Sequence, residues 1–399
     1  MVNKIQFAFL SIGHFFDHFF MLVFATVAAL SLSQEWGMSY AELIPYATPG
    51  FVAFGVGTVP SGWLADRWSR NGMMVVFFIS LGLSSVCTSF AQTPLQIGIG
   101  LLAIGIFAAI YHPVGLALVV QGRENTGVPI AFNGIFGNMG VACAALITGF
   151  FIDHKGWQSA FLWPGIVSII TGMTYAGVLY ADRGTITNNT FQHIVKKKLE
   201  ETTVMDRLLL FRVFGVIFLS TALGGLIFQS TTFALPKVFD ERLVELAMSA
   251  TLVGWYAFVV FAIAAFGQLA VGYLVDHYSI RTVFAIVIGL QALFFALMPG
   301  ITGWNALGVS MAFMLVVFGQ IPINDVLISR ITRSEWRSRV YAFRYIITFS
   351  VMASSVPIIA WIHHSWGFDV LFTVLSATAI CILGAVLMLP KVLSVKRSS

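Results

Sequence analysis

The chain has 399 residues, 58% hydrophobic and only 10% charged, with 22 Lys and Arg against 17 Asp and Glu for a formal charge of +5. Its mean hydropathy of +0.89 means more apolar surface than a soluble core of this length can hide, so a soluble globular protein is excluded and one embedded in lipid is expected. The apolar runs last about 20 residues rather than alternating over about 10, which favours helices over a barrel of strands, since each helix satisfies its own backbone in lipid.

In chain order, windows of about 19 residues place spans at 7–31, 44–65, 73–91, 96–120, 128–152, 158–181, 210–235, 247–275, 282–299, 304–329, 340–362 and 368–390. The first has no sizeable basic stretch before it and no small-residue cleavage site after it, so it reads as a retained span and not a signal peptide. The longest polar gap, 182–207, "DRGTITNNTFQHIVKKKLEETTVMDR", separates six spans in 1–181 from six in 208–399. The expected fold is therefore all-α, with twelve transmembrane helices in two six-helix bundles and 182–207 as a cytoplasmic linker. The sequon "NNT" at 188–190 falls in that linker and reads as chance. Cys87, Cys143 and Cys381 lie far apart inside apolar segments, with neither disulfide nor metal spacing.

Basic residues set the topology. With the N-terminus cytoplasmic, Lys4, Arg67, Arg70, Arg123, Arg183, Lys196 to Lys198, Arg207, Arg212, Arg281, the cluster Arg330 to Arg344, Lys391, Lys396 and Arg397 fall on one side; Lys155, Lys237 and Arg242 fall on the other. This is the positive-inside asymmetry, so the net charge reports topology and calls for no nucleic acid. Trp157, Trp163 and Trp366, near span ends, read as interfacial anchors.

The first span carries "IGHFFDHFF" at 12–20. At about 100° per residue, His14 and His18 lie about 40° apart and Asp17 about 60° to the other side of His14, so all three share one stripe. A charge at a helix centre costs about 2.5–3.5 kcal/mol on insertion scales, so such residues face a protein interior or a watery cavity. His18 alone would read as a core histidine; three ionisable groups on one stripe read as functional. His112 in span four reaches a depth similar to His14, about 12–15 Å from the cytoplasmic end. Asn324 and Asp325 in span ten lie in "GQIPINDVLISR", with Asp325 level with Arg344 and placed to pair with it. Span seven offers only Gln229, Ser230, Thr231 and Thr232 where span one is ionisable, so proton chemistry is expected from the first half and polar substrate contacts from the second.

The halves repeat. "GWLADRWSRNGMMVVFFISL" from Gly62 matches "GYLVDHYSIRTVFAIVIGL" from Gly272, "AFNGIF" from Ala131 matches "AFRYII" from Ala342, and Pro113 pairs with Pro322. Parallel repeats of six spans imply a pseudo-two-fold axis along the membrane normal and a site between the halves near the midplane. The aspartates, Asp66 and Asp276, with Arg67, Arg70 and Arg281 nearby, sit where they can hold an inner gate through basic partners or a facing helix N-terminus, with Gly62 and Gly272 allowing close approach. Arg67 and Arg70 equally serve as topology anchors. The glycines of "NGIFGNMG" read as packing residues.

Gly62, Asp66, Arg67 and Arg70 resemble the loop signature of the major facilitator superfamily, G-x-x-x-D-[RK]-x-G-[RK]-[RK], with Ser69 and Asn71 departing from it. The second copy keeps Gly272, Asp276 and Arg281, with His277 in the basic slot. The family's span-five antiporter signature is only partly present, through Gly140 and Gly149, and the span-four arginine of many proton-coupled members is missing. "GHFFDHFF" and "AAIYHPVGLALV" resemble the fosmidomycin-resistance-like exporters. These likenesses imply spans one, four, seven and ten lining a central cavity and export of a small organic solute, an anion among the candidates, by a monomer in the bacterial inner membrane; histidines beside Asp17 suit proton exchange as the driving step, the basic residues put both termini in the cytoplasm, and no cofactor is expected. His14, Asp17, His18 and His112 could instead take a divalent transition metal, making a metal or metal-chelate transporter the alternative. No H-E-x-x-H, G-x-S-x-G or Walker A loop is present, so no enzyme is expected and a gradient would power transport.

Overall fold

A computed structural model describes residues 4–123, 127–182, 207–331 and 334–390, all of whose regular structure is helical. The linker expected at 182–207, including Arg183 and Lys196 to Lys198, falls almost entirely outside the described residues, as do Lys391, Lys396 and Arg397. Helix α1 runs Lys4–Glu35, through a π turn at Ala28–Leu32 that carries it beyond the expected end at 31. It is followed by α2 (Thr48–Arg67), α3 (Arg70–Thr88), α4 (Pro94–Val120), α5 (Gly127–Lys155), α6 (Gln158–Asp182), α7 (Arg207–Arg242), α8 (Ala250–His277), α9 (Ile280–Leu297), α10 (Gly303–Ile331) and α11 (Ser334–Leu387). Among the described residues, ten helices are long and apolar enough to cross a membrane. Helix α2, rich in Gly, Pro, Thr and Ser, is not among the ten. Helix α11 is broken at Gly367, whose φ of 72° reverses the chain where a residue with a Cβ would be strained.

Helix ends follow local chemistry. Ser39 and Glu42 form a capping box, Thr93 caps α4 ahead of Pro94, and Ser249 caps α8. The hydrogen bonds from the Ser39 amide and hydroxyl hold the Glu42 carboxyl below the usual carboxylate range.

Without a hydrophobic force between helices in lipid, packing relies on small residues at the crossings. A methyl added to Gly105 on α4 would lie 2.0 Å from the Gly50 carbonyl oxygen on α2, and one at Gly140 on α5 would lie 2.2 Å from the Phe15 carbonyl oxygen on α1. The two halves of the chain meet in the same way: Gly149 on α5 faces Ala250 O at 2.2 Å, and Gly254 on α8 faces Ala145 O at 2.6 Å, each measured from an added methyl. Helix α2 meets α11 through Phe54 and Phe349, and α7 through Phe51 and Phe233.

One end of the bundle is tied across the halves. The Asp153 carboxylate, at the end of α5, accepts from the amides of Ala250 and Thr251 at 3.2 and 2.7 Å and from the Thr251 hydroxyl at 2.5 Å, so it caps the α8 N-terminus. Nearby, Tyr40 packs edge-on against His363, which bonds Glu241 at 3.0 Å. Trp157 donates to Glu35 at 2.9 Å, and Arg242 pairs with Asp369 while donating to the Ile301 carbonyl. At the opposite end, Gln6 bonds Asn71 and Tyr175 within the first half, and Arg281 bonds the Leu387 carbonyl within the second.

Asp153→Ala removes the cross-half cap, a feature worth about 1 kcal/mol, and is expected to shift roughly fivefold of population toward a form open at this end. Distance distributions between spin labels at the exposed Gln34 and Ser365 measure it; a distribution identical to that of the unsubstituted protein would show that the cap does not hold this end.

Candidate functional site

Two helices supply the ionisable groups. On α1, His14 and Asp17 are buried and His18 is nearly so. On α4, Pro113 lacks the N–H that an α-helix would need, and Tyr111–Gly115 relaxes into a π turn that carries His112. The three imidazoles converge: ring centroids are 5.1 Å apart for His14 and His18, 5.6 Å for His14 and His112, and 5.6 Å for His18 and His112. His112 Nε2 lies 3.2 Å from Asp17 Oδ2. Asp17 has no measurable exposure, and its Oδ1 has no hydrogen-bond partner among the described residues. A carboxyl so placed depends on the neighbouring imidazole for the stabilisation that water would give.

Helix α5 supplies what the sequence reading missed. Asn133 accepts at its backbone carbonyl from His14 Nδ1, 2.9 Å away, and its side-chain amide donates to the Tyr111 hydroxyl at 2.9 Å. Tyr111 in turn donates to the Leu10 carbonyl at 2.8 Å and stacks on His14, centroids 4.8 Å apart and planes 19° from parallel. Gly137 lies directly against the other side of the His14 ring. The signal was the stripe Asn133, Gly137, Gly140 at helical spacing, whose opposing partner a sequence does not name.

The cluster borders the seam between the halves. His112 packs 5.8 Å from Phe54 of α2 and 5.8 Å from Phe349 of α11, with the two phenylalanines 4.9 Å apart edge to face. Nitrogens of His14, His18 and His112 that could bind a metal all lie within 4.8 Å of one another.

The second-half candidates form their own networks. Asp325 and Arg344 pair between α10 and α11. Asn324 is buried and accepts from Ser220 of α7 at 3.1 Å, in a network that continues through Gln320 to Gln291. Thr231 and Thr232 donate to carbonyls of their own helix, whereas the buried Gln229 Nε2 and Ser230 Oγ have no hydrogen-bond partner among the described residues.

Asp66 pairs with Arg70 at 2.8 Å, both exposed, and Arg67 sits 4.2 Å over Trp63. Gly62 lies near Pro113. At Gly272 an added methyl would meet nothing within 4 Å, so the close approach expected there is not made in this arrangement. Asp276 is exposed, and Arg281 reaches the Leu387 carbonyl at 2.6 Å.

Comparison with known proteins places this geometry. The model of the Major Facilitator Superfamily matches residues 10–243. A gallate transporter of Pseudomonas putida is 28% identical over 158 residues, 39% of this chain and 34% of that one. A 4-hydroxybenzoate transporter of Pseudomonas aeruginosa is 27% identical over 146 residues, 36% of this chain and 32% of that one, so the matched segment spans about a third of either relative. The fold is similar to that of a bacterial homologue of the human lysosomal transporter Spinster in an inward-facing and occupied conformation, with a TM-score of 0.71 and 12% identity over 97% of this chain and 94% of that one.

His112→Phe keeps the packing against Phe54 and Phe349 but removes the donor beside Asp17, and is expected to destabilise the protein by roughly 1–3 kcal/mol. Adding Asp17→Leu should recover most of that loss. Chemical unfolding of the purified single and double variants in detergent tests it, and additive losses would dissolve the coupling.

Proposed function

The chain belongs to the Major Facilitator Superfamily, and from that premise we propose that it is a proton-coupled secondary transporter of small aromatic carboxylates, driven by the α1–α4 cluster. It is a membrane transporter of small molecules, not an enzyme. Counting α2 as a span and dividing α11 at Gly367 gives twelve, arranged as bundles 1–181 and 208–399 about a pseudo-two-fold axis, with 182–207 joining them. With both termini cytoplasmic in a bacterial inner membrane, as the basic residues indicate, the end tied by Asp153 is the outer one and the molecule stands in its inward-facing state. The chain works as a monomer in this reading, since both walls of the passage come from one polypeptide.

Asp17 carries this reading: a wholly buried carboxyl, 3.2 Å from one imidazole and grouped with two more, at the seam where the halves must part. Such a group is tolerable when neutral or when paired with an imidazolium. Moving a proton on or off the set therefore changes the cost of keeping the seam dry, which links proton occupancy to the equilibrium between the two states. His14, His18 and His112 share that charge. Gly62, Asp66, Arg67 and Arg70, with Gly272, Asp276 and Arg281, form the inner gate; in the inward-facing state Asp66 holds Arg70 and Arg281 holds the Leu387 carbonyl, and the charges exchange partners across the seam when it closes.

The names of the relatives support the substrate class: gallate and 4-hydroxybenzoate are both small aromatic carboxylates. Phe54 and Phe349, beside His112 at the seam, suit a planar ring, and Arg344, Asn324 and the amide of Gln229 suit its carboxylate. A second reading, a divalent transition metal as cargo, draws on the three imidazoles with nitrogens within 4.8 Å.

Purified protein in sealed vesicles, given labelled 4-hydroxybenzoate and an imposed pH gradient, is expected to move it against its own gradient. Export by proton exchange predicts that protons entering the vesicle drive substrate out; co-directional flux would overturn the exporter part. Asp17→Asn and His14→Ala are expected to insert normally yet lose gradient-driven flux by on the order of tenfold or more, and unchanged flux in both would remove the carrier role. Chelator-sensitive, stoichiometric heat on titration with Zn²⁺ or Co²⁺ would instead favour the metal reading.

A further inference from the structure

The His14 ring is held on three sides by groups that carry no charge. Its Nδ1 is 2.9 Å from the Asn133 carbonyl oxygen, which can only accept, so Nδ1 carries the hydrogen. One face is covered by Tyr111, stacked at 4.8 Å and itself fixed by hydrogen bonds to Leu10 and Asn133. The other face rests on Gly137, where an added methyl would fall 2.7 Å from Nε2, 2.8 Å from Cδ2 and 2.9 Å from Cε1. The titratable groups around it are His18 on α1 and Tyr111 and His112 on α4, and His112 in turn meets Asp17. Helix α5 contributes the carbonyl and the glycine at this point.

We propose that Asn133, Tyr111 and Gly137 are positioning residues that lock His14 in one tautomer, so that it exchanges protons with the cluster only through Nε2. This rests on the proton-coupled reading given above. A proton arriving from an acid in the cluster breaks its bond to that donor and forms one to the Nε2 lone pair, giving an imidazolium whose Nδ1–H stays on the Asn133 carbonyl. On release, Nε2 gives the proton back and the neutral Nδ1–H tautomer returns unchanged. The ring need neither flip nor change tautomer between cycles, so its geometry is set before each transfer.

The test needs a readout that a packing role alone would not move. Protein labelled with ¹⁵N at histidine, with His14 assigned by loss of its signals in His14→Gln, should show at neutral pH a protonated Nδ1 and a bare Nε2. A protonated Nε2, or a mixture of tautomers, overturns the clamp whatever the transport assays show. Gly137→Ala should disturb that tautomer, lower gradient-driven flux by on the order of tenfold or more, and move the midpoint of the pH–flux curve by about one unit. Gly134→Ala adds the same methyl to the same helix where it meets nothing within 4 Å, and should leave the spectrum and the pH–flux curve as they were. Equal behaviour of the two variants overturns the proposal. If the unsubstituted protein shows the expected tautomer but no proton-driven flux, the transport reading fails while the locked ring stands.

Discussion

A carboxyl group with no exposure, deep in a helix that spans lipid, governs how the first half of this molecule is built. Asp17 is shut off from the protein surface, so its neighbours carry its stabilisation, and His112 is brought to it by a turn of α4 that an ordinary helix would not make. The π turn at Tyr111–Gly115 follows from Pro113, whose ring removes one rung of the helix ladder. One covalent constraint in α4 thus answers one electrostatic demand in α1. Phe54 and Phe349 pack on His112 and make the surroundings of its contact with Asp17 apolar, which strengthens that contact.

The second constraint is steric. Gly137 and Gly140 allow α5 to lie against α1 so closely that backbone and ring touch, and Gly149 with Gly254 allows α5 to cross into the other half. Helix α5 therefore holds the histidine cluster at one level and the seam between the halves at another, where Asp153 caps α8. Both tasks fall on a single rigid rod. The same helix thus contacts both the histidine cluster and the other half of the chain.

Much of this was legible in the sequence. The stripe His14, Asp17, His18 followed from helical spacing, the meeting of His14 with His112 from equal depth, and the Asp325–Arg344 pair from their level in adjacent helices. These are short-range or depth arguments, which one chain supports. Asn133, Tyr111 and Gly137 were not read as site residues, because an amide, a tyrosine and a glycine acquire meaning only from the helix opposite, and helix pairing is not written in periodicity. The Asp153 cap escaped for the same reason: its partner, the Ala250 amide, lies 97 residues away. The division expected between spans 340–362 and 368–390 falls where the helical run is interrupted, at the left-handed Gly367.

The π turn at Ala28–Leu32 gives α1 a property that a regular helix lacks. A π turn accommodates one residue more than the α-helical path needs, so the two parts of α1 are out of rotational phase with each other. The lower part can aim its imidazoles at α4 while the upper part turns Glu35 toward Trp157, two directions that an unbroken α-helix would have to choose between. The surplus residue works as a phase adjuster, letting a single rod obey separate angular demands at the histidine cluster and at the rim.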